Sequence, residues 1–192
     1  MLNIVLFGPP GAGKGTQAET LKSKYDLVHI STGDVFRALD PTSDLAKLAK
    51  SYADKGNLVP DEITIKILES EVSKYPDAKG VIYDGFPRTI GQAESLDKFL
   101  QAKGTGITGM IALEVQEDEL KTRLKKRAID SGRPDDADPA IIQNRINVYN
   151  EQTAPVADFY KGQSKYAGIN GVGSMEEVFD RICTATDSLA VK

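Results

Sequence analysis

An α/β fold built around a parallel sheet is what this 192-residue sequence predicts, and three observations carry that expectation. Short apolar runs alternate along the chain with longer stretches of helical periodicity. The first apolar run, residues 2–7, is continuous apart from Asn3, the pattern of a strand covered on both faces. It ends in a glycine-rich turn that opens directly into helical sequence. Length fits one compact domain, and 40% hydrophobic with 27% charged residues are ordinary values for a soluble globular protein.

The remaining elements follow in order. Helical signals run from Lys14 to about Lys24. Residues 27–30 predict a short second strand, after which Ser31 or Thr32 can cap a helix beginning at Gly33. Residues 81–83 predict a third strand ending at Asp84, and residues 109–115 a fourth, followed by a helix through Arg127. Residues 138–161 predict one long helix with Pro139 in its first turn, where proline is tolerated. Residues 166–169 predict the last strand and residues 175–189 the last helix. Two stretches break the alternation. Residues 32–60 hold helical material with Pro41, Gly56 and Pro60 but no strand, and so form an insert after strand two. Residues 129–138 are polar and turn-rich between two helices, the composition of a lid, a binding segment or a plain surface connection.

Composition excludes several classes. With 24 Lys+Arg against 28 Asp+Glu, the net charge of -4 argues against a general nucleic-acid binder. One cysteine excludes an internal disulfide framework and any multi-cysteine zinc or iron–sulfur site. Cys183 lies in an apolar helical pattern, which reads as a small buried hydrophobe and fits a reducing cytosol. The first apolar run is too short for a signal segment, and nowhere do eighteen apolar residues run together, so no membrane span is expected. The one histidine, His29, falls in the second strand and reads as structural. Of the cations 17 are Lys and only 7 are Arg.

Two motifs carry chemistry. Gly8-Pro9-Pro10-Gly11-Ala12-Gly13-Lys14-Gly15-Thr16 follows a strand and opens a helix, the context of a Gly-x4-Gly-Lys phosphate loop. Glycines let backbone amides turn inward around a phosphate, the helix N-terminus adds N–H groups and a positive dipole end, and Lys14 adds a mobile charge. Gly15 stands where Ser or Thr usually meets magnesium, with Thr16 one residue later. The second motif, residues 81–89, places Asp84 at the tip of an apolar strand, from which a carboxylate can hold magnesium or its waters beside a phosphate loop. Together they indicate nucleoside triphosphate binding. No Asn-Lys-x-Asp sequence occurs, which weakens a GTPase reading.

With these residues in place the chain resembles the adenylate kinases, the nucleoside monophosphate kinases that turn ATP and AMP into two ADP, in their short-lid form. The resemblance covers essentially the whole chain through GPPGAGKGTQ at 8–17, STGD at 31–34, GNLVPDE at 56–62, DGFPRT at 84–89 with Gln92, the helix at 117–127, GRPDD at 132–136, and Arg145 with TAP at 153–155. It implies a P-loop kinase fold with a five-stranded parallel sheet in order 2-3-1-4-5, flanked by helices. The core would be residues 1–31, 61–128 and 139–192, with an AMP-binding lobe at 32–60 and a short lid at 129–138.

The same resemblance implies roles. ATP would meet Gly11, Ala12, Gly13, Lys14, Gly15, Thr16 and Arg127, its adenine packing on Arg123 and touching backbone near Val172 and Gly173. AMP would meet Thr32, Arg37, Arg88 and Gln92, with backbone from Val59 and Gly85; Arg37 and Arg88 would clasp its phosphate and Gln92 would read the adenine edge. Lys14, Arg88, Arg127, Arg133 and Arg145 would act on the transferring phosphoryl group, Arg133 and Arg145 also reaching AMP. Asp135 and Asp136 would position the lid arginines. Mg2+ would arrive with ATP, held largely through phosphates and water beside Asp84 and Thr16, and no structural zinc is implied. Expected partners are ATP, AMP and ADP alone, without nucleic acid or membrane, in a cytoplasmic monomer. Residues 40–43, Asp-Pro-Thr-Ser, replace the family's glycine-containing turn, and Arg181 is the one arginine without a role. The rivals are a UMP/CMP kinase, whose relatives tend to carry Ala at the position of Thr32 and Asn at that of Gln92, and a non-catalytic adenine-nucleotide sensor, which loss of Lys14, Asp84 or a lid arginine would have signalled.

Overall fold

The computed structural model describes residues 1–191. Strands β1 (Leu2–Phe7), β2 (Val28–Ser31), β3 (Gly80–Asp84), β4 (Gly109–Glu114) and β5 (Tyr166–Asn170) form one sheet in the order β2-β3-β1-β4-β5. Every pairing is parallel. This is the order that the family resemblance implies. The helices are α1 (Lys14–Tyr25), α2 (Thr32–Arg37), α3 (Asp44–Ala53), α4 (Asp61–Ser73), α5 (Ile90–Ala102), α6 (Glu117–Ser131), α7 (Pro139–Val148), α8 (Val156–Gly162) and α9 (Met175–Ala190).

Two cores sandwich the sheet, and the period of two along each strand sorts residues between them. Val5, Phe7, Val81, Tyr83, Met110 and Ala112 face Leu68 and Val72 of α4, Leu96 and Leu100 of α5, and Tyr160 of α8. Ile4, Leu6, Ile82, Ile111 and Leu113 face Leu21 of α1, Leu120 of α6, and Val178 and Ile182 of α9. Asn3, the polar residue in β1, is fully buried and satisfied. Its Nδ2 donates to Thr105 Oγ1 and Gly106 O, and its Oδ1 accepts from Val81 N–H at 3.2 Å, which ties β1 to β3 and to the loop before β4.

Register places the site. Leu6 and Ser31 both pair with Asp84, and Phe7 pairs with Ala112, so the carboxyl ends of four strands open on one rim. The chain leaves β1 toward one side of the sheet and β3 toward the other, and a crevice forms outside that reversal.

Several local outcomes differ from the sequence expectation. Residues 138–161 are not one helix: α7 ends at Val148, residues 149–153 form a π turn, and α8 starts at Val156. Pro155 has no N–H for a helical bond, and the chain widens ahead of it, with Ala154 N–H donating to Tyr149 O at 2.7 Å. Helix α6 continues to Ser131 and ends at Gly132 with φ of 63°, so the start of the 129–138 stretch is helical, followed by a 3-10 turn at Pro134–Asp136. The alternation left residues 61–73 and 90–102 unassigned, and these are α4 and α5. Ser31 caps α2, accepting from Asp34 N–H, and the helix begins one residue earlier than expected, at Thr32. The glycine-free turn at 40–43 closes through side chains: Asp40 Oδ1 accepts from Thr42 N–H at 2.9 Å, and Ser43 Oγ accepts from Ala46 N–H to cap α3. Cys183 is buried on α9. Among the described residues no helix is long and apolar enough to cross a membrane.

Candidate active site

The crevice at the carboxyl rim is a cavity of about 1210 Å³, larger than a site for one small ligand needs. Its wall starts at the turn after β1. Gly13 is the N-cap of α1 with φ of 98°, a left-handed conformation that favours glycine, and no side chain caps the helix. The first N–H groups of α1 are therefore available to an anion in the cradle. Lys14 Nζ donates to the carbonyls of Gly8 at 2.8 Å and Pro9 at 3.0 Å. Burial lowers its pKa to about 8, helped by Arg88, Arg145 and Arg127 and opposed by Asp84.

That shift has a sign that can be measured. Between about 8 and the unfolded value of 10.5 the folded protein binds fewer protons than the unfolded chain, so this group makes stability rise with pH across that window. A phosphate beside Lys14 restores the charge. Through Lys14, nucleotide binding is therefore expected to take up protons between about pH 8 and 10.5, visible in calorimetry as a binding heat that changes with buffer ionisation enthalpy. A heat independent of buffer at pH 9 would show that binding adds no proton to Lys14 and would overturn this expectation.

At the end of β3, Asp84 Oδ2 lies 3.2 Å from His29 Nε2, and His29 Nδ1 lies 3.1 Å from Glu19 Oε1. Burial pushes the imidazole pKa down, but the two carboxylates outweigh it and raise the net value. Burial pushes Asp84 up, and His29, Lys14 and Arg88 hold it below its ordinary range. His29 thus bridges Asp84 and Glu19, contacts that its place in the second strand does not reveal in sequence. An ionised carboxylate facing a phosphate cradle suits a small hard cation. Among the described residues no group of three or more His, Cys, Asp or Glu could hold a metal ion.

Across the cavity, Gly85 O accepts from Thr32 Oγ1 at 2.9 Å and Arg88 Nε at 2.7 Å. Gly85 has φ of 76°, and a Cβ there would lie 2.8 Å from Arg88 Nη2, so the turn that aims Arg88 needs glycine. Arg88 sits among like charges: burial, then Arg145 and Arg37, lower its pKa. Arg37 pairs with Asp34 one turn earlier on α2. Gln92 Oε1 accepts from Arg88 N–H at 2.7 Å, while its Nε2 donates to Asp61 Oδ1 at 2.9 Å.

Two further arginines share one carboxylate. Arg127 donates to Asp136 through Nε at 2.5 Å and Nη2 at 2.8 Å, and Arg145 Nη1 donates to the same side chain at 2.7 Å and lies 3.2 Å from Asp135 Oδ2. Asp136 is 0% exposed. Arg133 completes the group, its pKa lowered by burial and by Arg37 and Arg127. On the opposite wall Arg123 bridges Ala12 O of the cradle and Gly171 O after β5, with Nε on Glu119.

A family model described as adenylate kinase matches residues 6–165. An adenylate kinase of Flavobacterium psychrophilum is 52% identical over 98% of this chain and 100% of its own length. One from Bacteroides thetaiotaomicron is 53% identical over the same shares, and one from Caulobacter vibrioides is 44% identical over 98% of this chain and 99% of its own. The chain belongs to the adenylate kinase family.

As a member of the adenylate kinase family it is a phosphotransferase, and the P-loop fold expected from the sequence is the one it has. The cavity wall brings together Gly11, Ala12, Gly13, Lys14, Gly15, Thr16, Thr32, Arg37, Val59, Asp84, Gly85, Arg88, Gln92, Arg123, Arg127, Arg133, Asp135, Arg145 and Gly173. Two candidates stand off it. Asp136 lies beneath, behind Arg127 and Arg145, and Val172 turns its carbonyl to Arg181 Nη1 at 2.7 Å. Arg181, without a role in the sequence, also takes Asn170 O at 2.8 Å and so fixes the loop that carries Gly173. Asp61, Asp34, Glu19 and Glu119 were not singled out by sequence. In sequence Asp61 is only part of the GNLVPDE stretch at 56–62, and the packing of α4 on α5 gives it a partner.

Proposed function

We propose that the chain interconverts ATP plus AMP with two ADP by direct in-line phosphoryl transfer. ATP takes the Gly8–Thr16 cradle with its adenine packing on Arg123 and touching backbone near Val172 and Gly173, and AMP takes the wall from Thr32 to Gln92. The carrying observation is that Lys14, Arg88, Arg127, Arg133 and Arg145 converge from separate segments on one cavity.

The acceptor is a phosphate oxygen, largely ionised near neutral pH because its second pKa is about 6. No general base is required. The difficulty is electrostatic, since two polyanions must approach while charge shifts onto the transferring and leaving oxygens, and fixed cations lower that barrier. Arginine suits the task because its planar fork stays charged and grips phosphate in bidentate fashion. Lys14 meets the donor phosphates, Arg37 and Arg88 hold the AMP phosphate, and Arg127, Arg133 and Arg145 surround the group in transit. Asp84 and Thr16 would hold, through water, the Mg2+ that arrives with ATP, and it would supply further charge neutralisation. Segment 129–138, a lid, and segment 32–60, the AMP-binding lobe, close over the substrates and exclude water as a competing acceptor. The protein acts as a cytoplasmic monomer on ATP, AMP and ADP.

A coupled assay with ATP·Mg and AMP, UMP, CMP or GMP tests the acceptor. AMP is expected to be preferred over all three, given Thr32 and Gln92. Equal rates with UMP would sink the reading in favour of a UMP/CMP kinase.

A further inference from the structure

We propose that Asp61 sets acceptor-base specificity by locking the side-chain amide of Gln92 in one of its two orientations; this rests on reading Gln92 as the residue that meets the AMP base. The two ends of a glutamine amide are nearly the same size and opposite in hydrogen-bonding character, so a half-turn exchanges donor for acceptor. Here both ends are fixed. Arg88 N–H approaches one end at 2.7 Å and can only donate, so that end is the oxygen. Asp61 Oδ1 approaches the other at 2.9 Å, and a carboxylate accepts, so that end is the NH2. A flipped amide would face N–H against N–H and oxygen against carboxylate.

After these two bonds the amide keeps one N–H and one lone pair for the cavity that Gln92 lines. Adenine offers an amino donor at C6 beside an acceptor N1, the complementary pair. A 6-oxopurine offers an acceptor O6 beside a donor N1–H, the reverse, and needs the forbidden flip. Sites built on such polar matching discriminate far more strongly than apolar pockets do.

Asp61 acts through Gln92 and does not line the cavity, so it is a positioning residue. Its own aim is fixed from two sides. Its backbone begins α4, where the helix dipole favours an anion, and its Oδ2 accepts from Thr89 Oγ1 at 2.9 Å. Thr89 Oγ1 in turn accepts from Gln92 N–H at 3.1 Å as the cap of α5. Asp61, Thr89 and Gln92 therefore form a closed ring across two helices, and the recognition amide is one of its members.

The test compares AMP with IMP, which differ only at the purine edge, using kcat/KM for wild type, Asp61→Asn and Asp61→Ser. Asparagine can present either an oxygen or an NH2, so it removes one of the two locks on Gln92 and leaves the one from Arg88 N–H; serine removes the carboxylate and suits a helix N-terminus. The expected result is a wild-type preference for AMP that falls at least tenfold in both variants, through loss with AMP and relative gain with IMP, while KM for ATP stays unchanged. An equal drop with both acceptors shows a merely structural Asp61 and overturns the proposal. If wild type uses IMP as well as AMP, the reading of Gln92 fails instead, and the proposal falls with it. Should Asp61→Asn fold poorly, Asp61→Ser decides the matter on the same ratio.

Discussion

Arg88→Ala is expected to lower kcat/KM for AMP by roughly 100- to 1000-fold, on the scale of about 3–4 kcal/mol for one preorganised charged donor. The side chain is held on Gly85 O at its Nε, and its forked end faces the cavity among Arg145 and Arg37. Arg145 and Arg37 repel it while Asp84 and Gly85 O hold it, so its removal takes away repulsion and attraction together. The melting temperature is therefore expected to change little while turnover collapses. Arg88→Lys should not restore activity, since an ammonium cannot both take Gly85 O and grip phosphate as a fork. Steady-state kinetics and thermal unfolding on the same preparations check both halves. Near-normal turnover in Arg88→Ala would refute the assignment.

Asp136→Asn should cost both activity and stability. The wild-type carboxylate is buried, takes three N–H donors from Arg127 and Arg145, and offsets their mutual repulsion. An amide of the same size neutralises neither cation and aims an NH2 at one of them. Breaking a buried pair by removing one partner typically costs about 3–5 kcal/mol, and misplacing the two arginines should lower turnover about 100-fold. Asp135→Asn, whose side chain is more exposed, should do much less. The wild-type pH dependence follows the same logic. Burial pushes the Asp136 pKa up, but Arg127 and Arg145 outweigh it and hold it below the ordinary carboxylate range. Its contribution is present above the unfolded value and is lost as pH falls through the lower, folded value. Denaturant unfolding at pH 7 with a matched kinetic assay decides; an Asp136→Asn variant as stable and active as wild type would refute the role of the shared carboxylate.

The sheet was readable in the sequence because parallel strands covered on both faces leave continuous apolar runs, as residues 2–7 and 109–113 do. The cradle was readable because all its parts are contiguous. The arginines were not readable as a group without the family resemblance: residues 37, 88, 127 and 145 meet only through the order of strands. The break at Pro155 was visible as a residue but not as an event, because proline within a helical pattern can kink, widen or end it. Asp61, Asp34 and Glu119 escaped because an acidic residue has the same appearance in sequence whether it faces water or orients another side chain.

The mutual repulsion of Arg88, Arg37, Arg133 and Arg145 also makes the substrates part of the protein's own durability. Asp34, Asp84, Asp135 and Asp136 offset part of that repulsion, and bound phosphates would offset more of it. By mass action, a nucleotide at 100 times its dissociation constant adds about 2.7 kcal/mol to the unfolding free energy, a sizeable fraction of what a domain of this size holds. Limited proteolysis of the chain is therefore expected to slow as adenine nucleotide is added, because cleavage proceeds through opened states that the ligand depopulates.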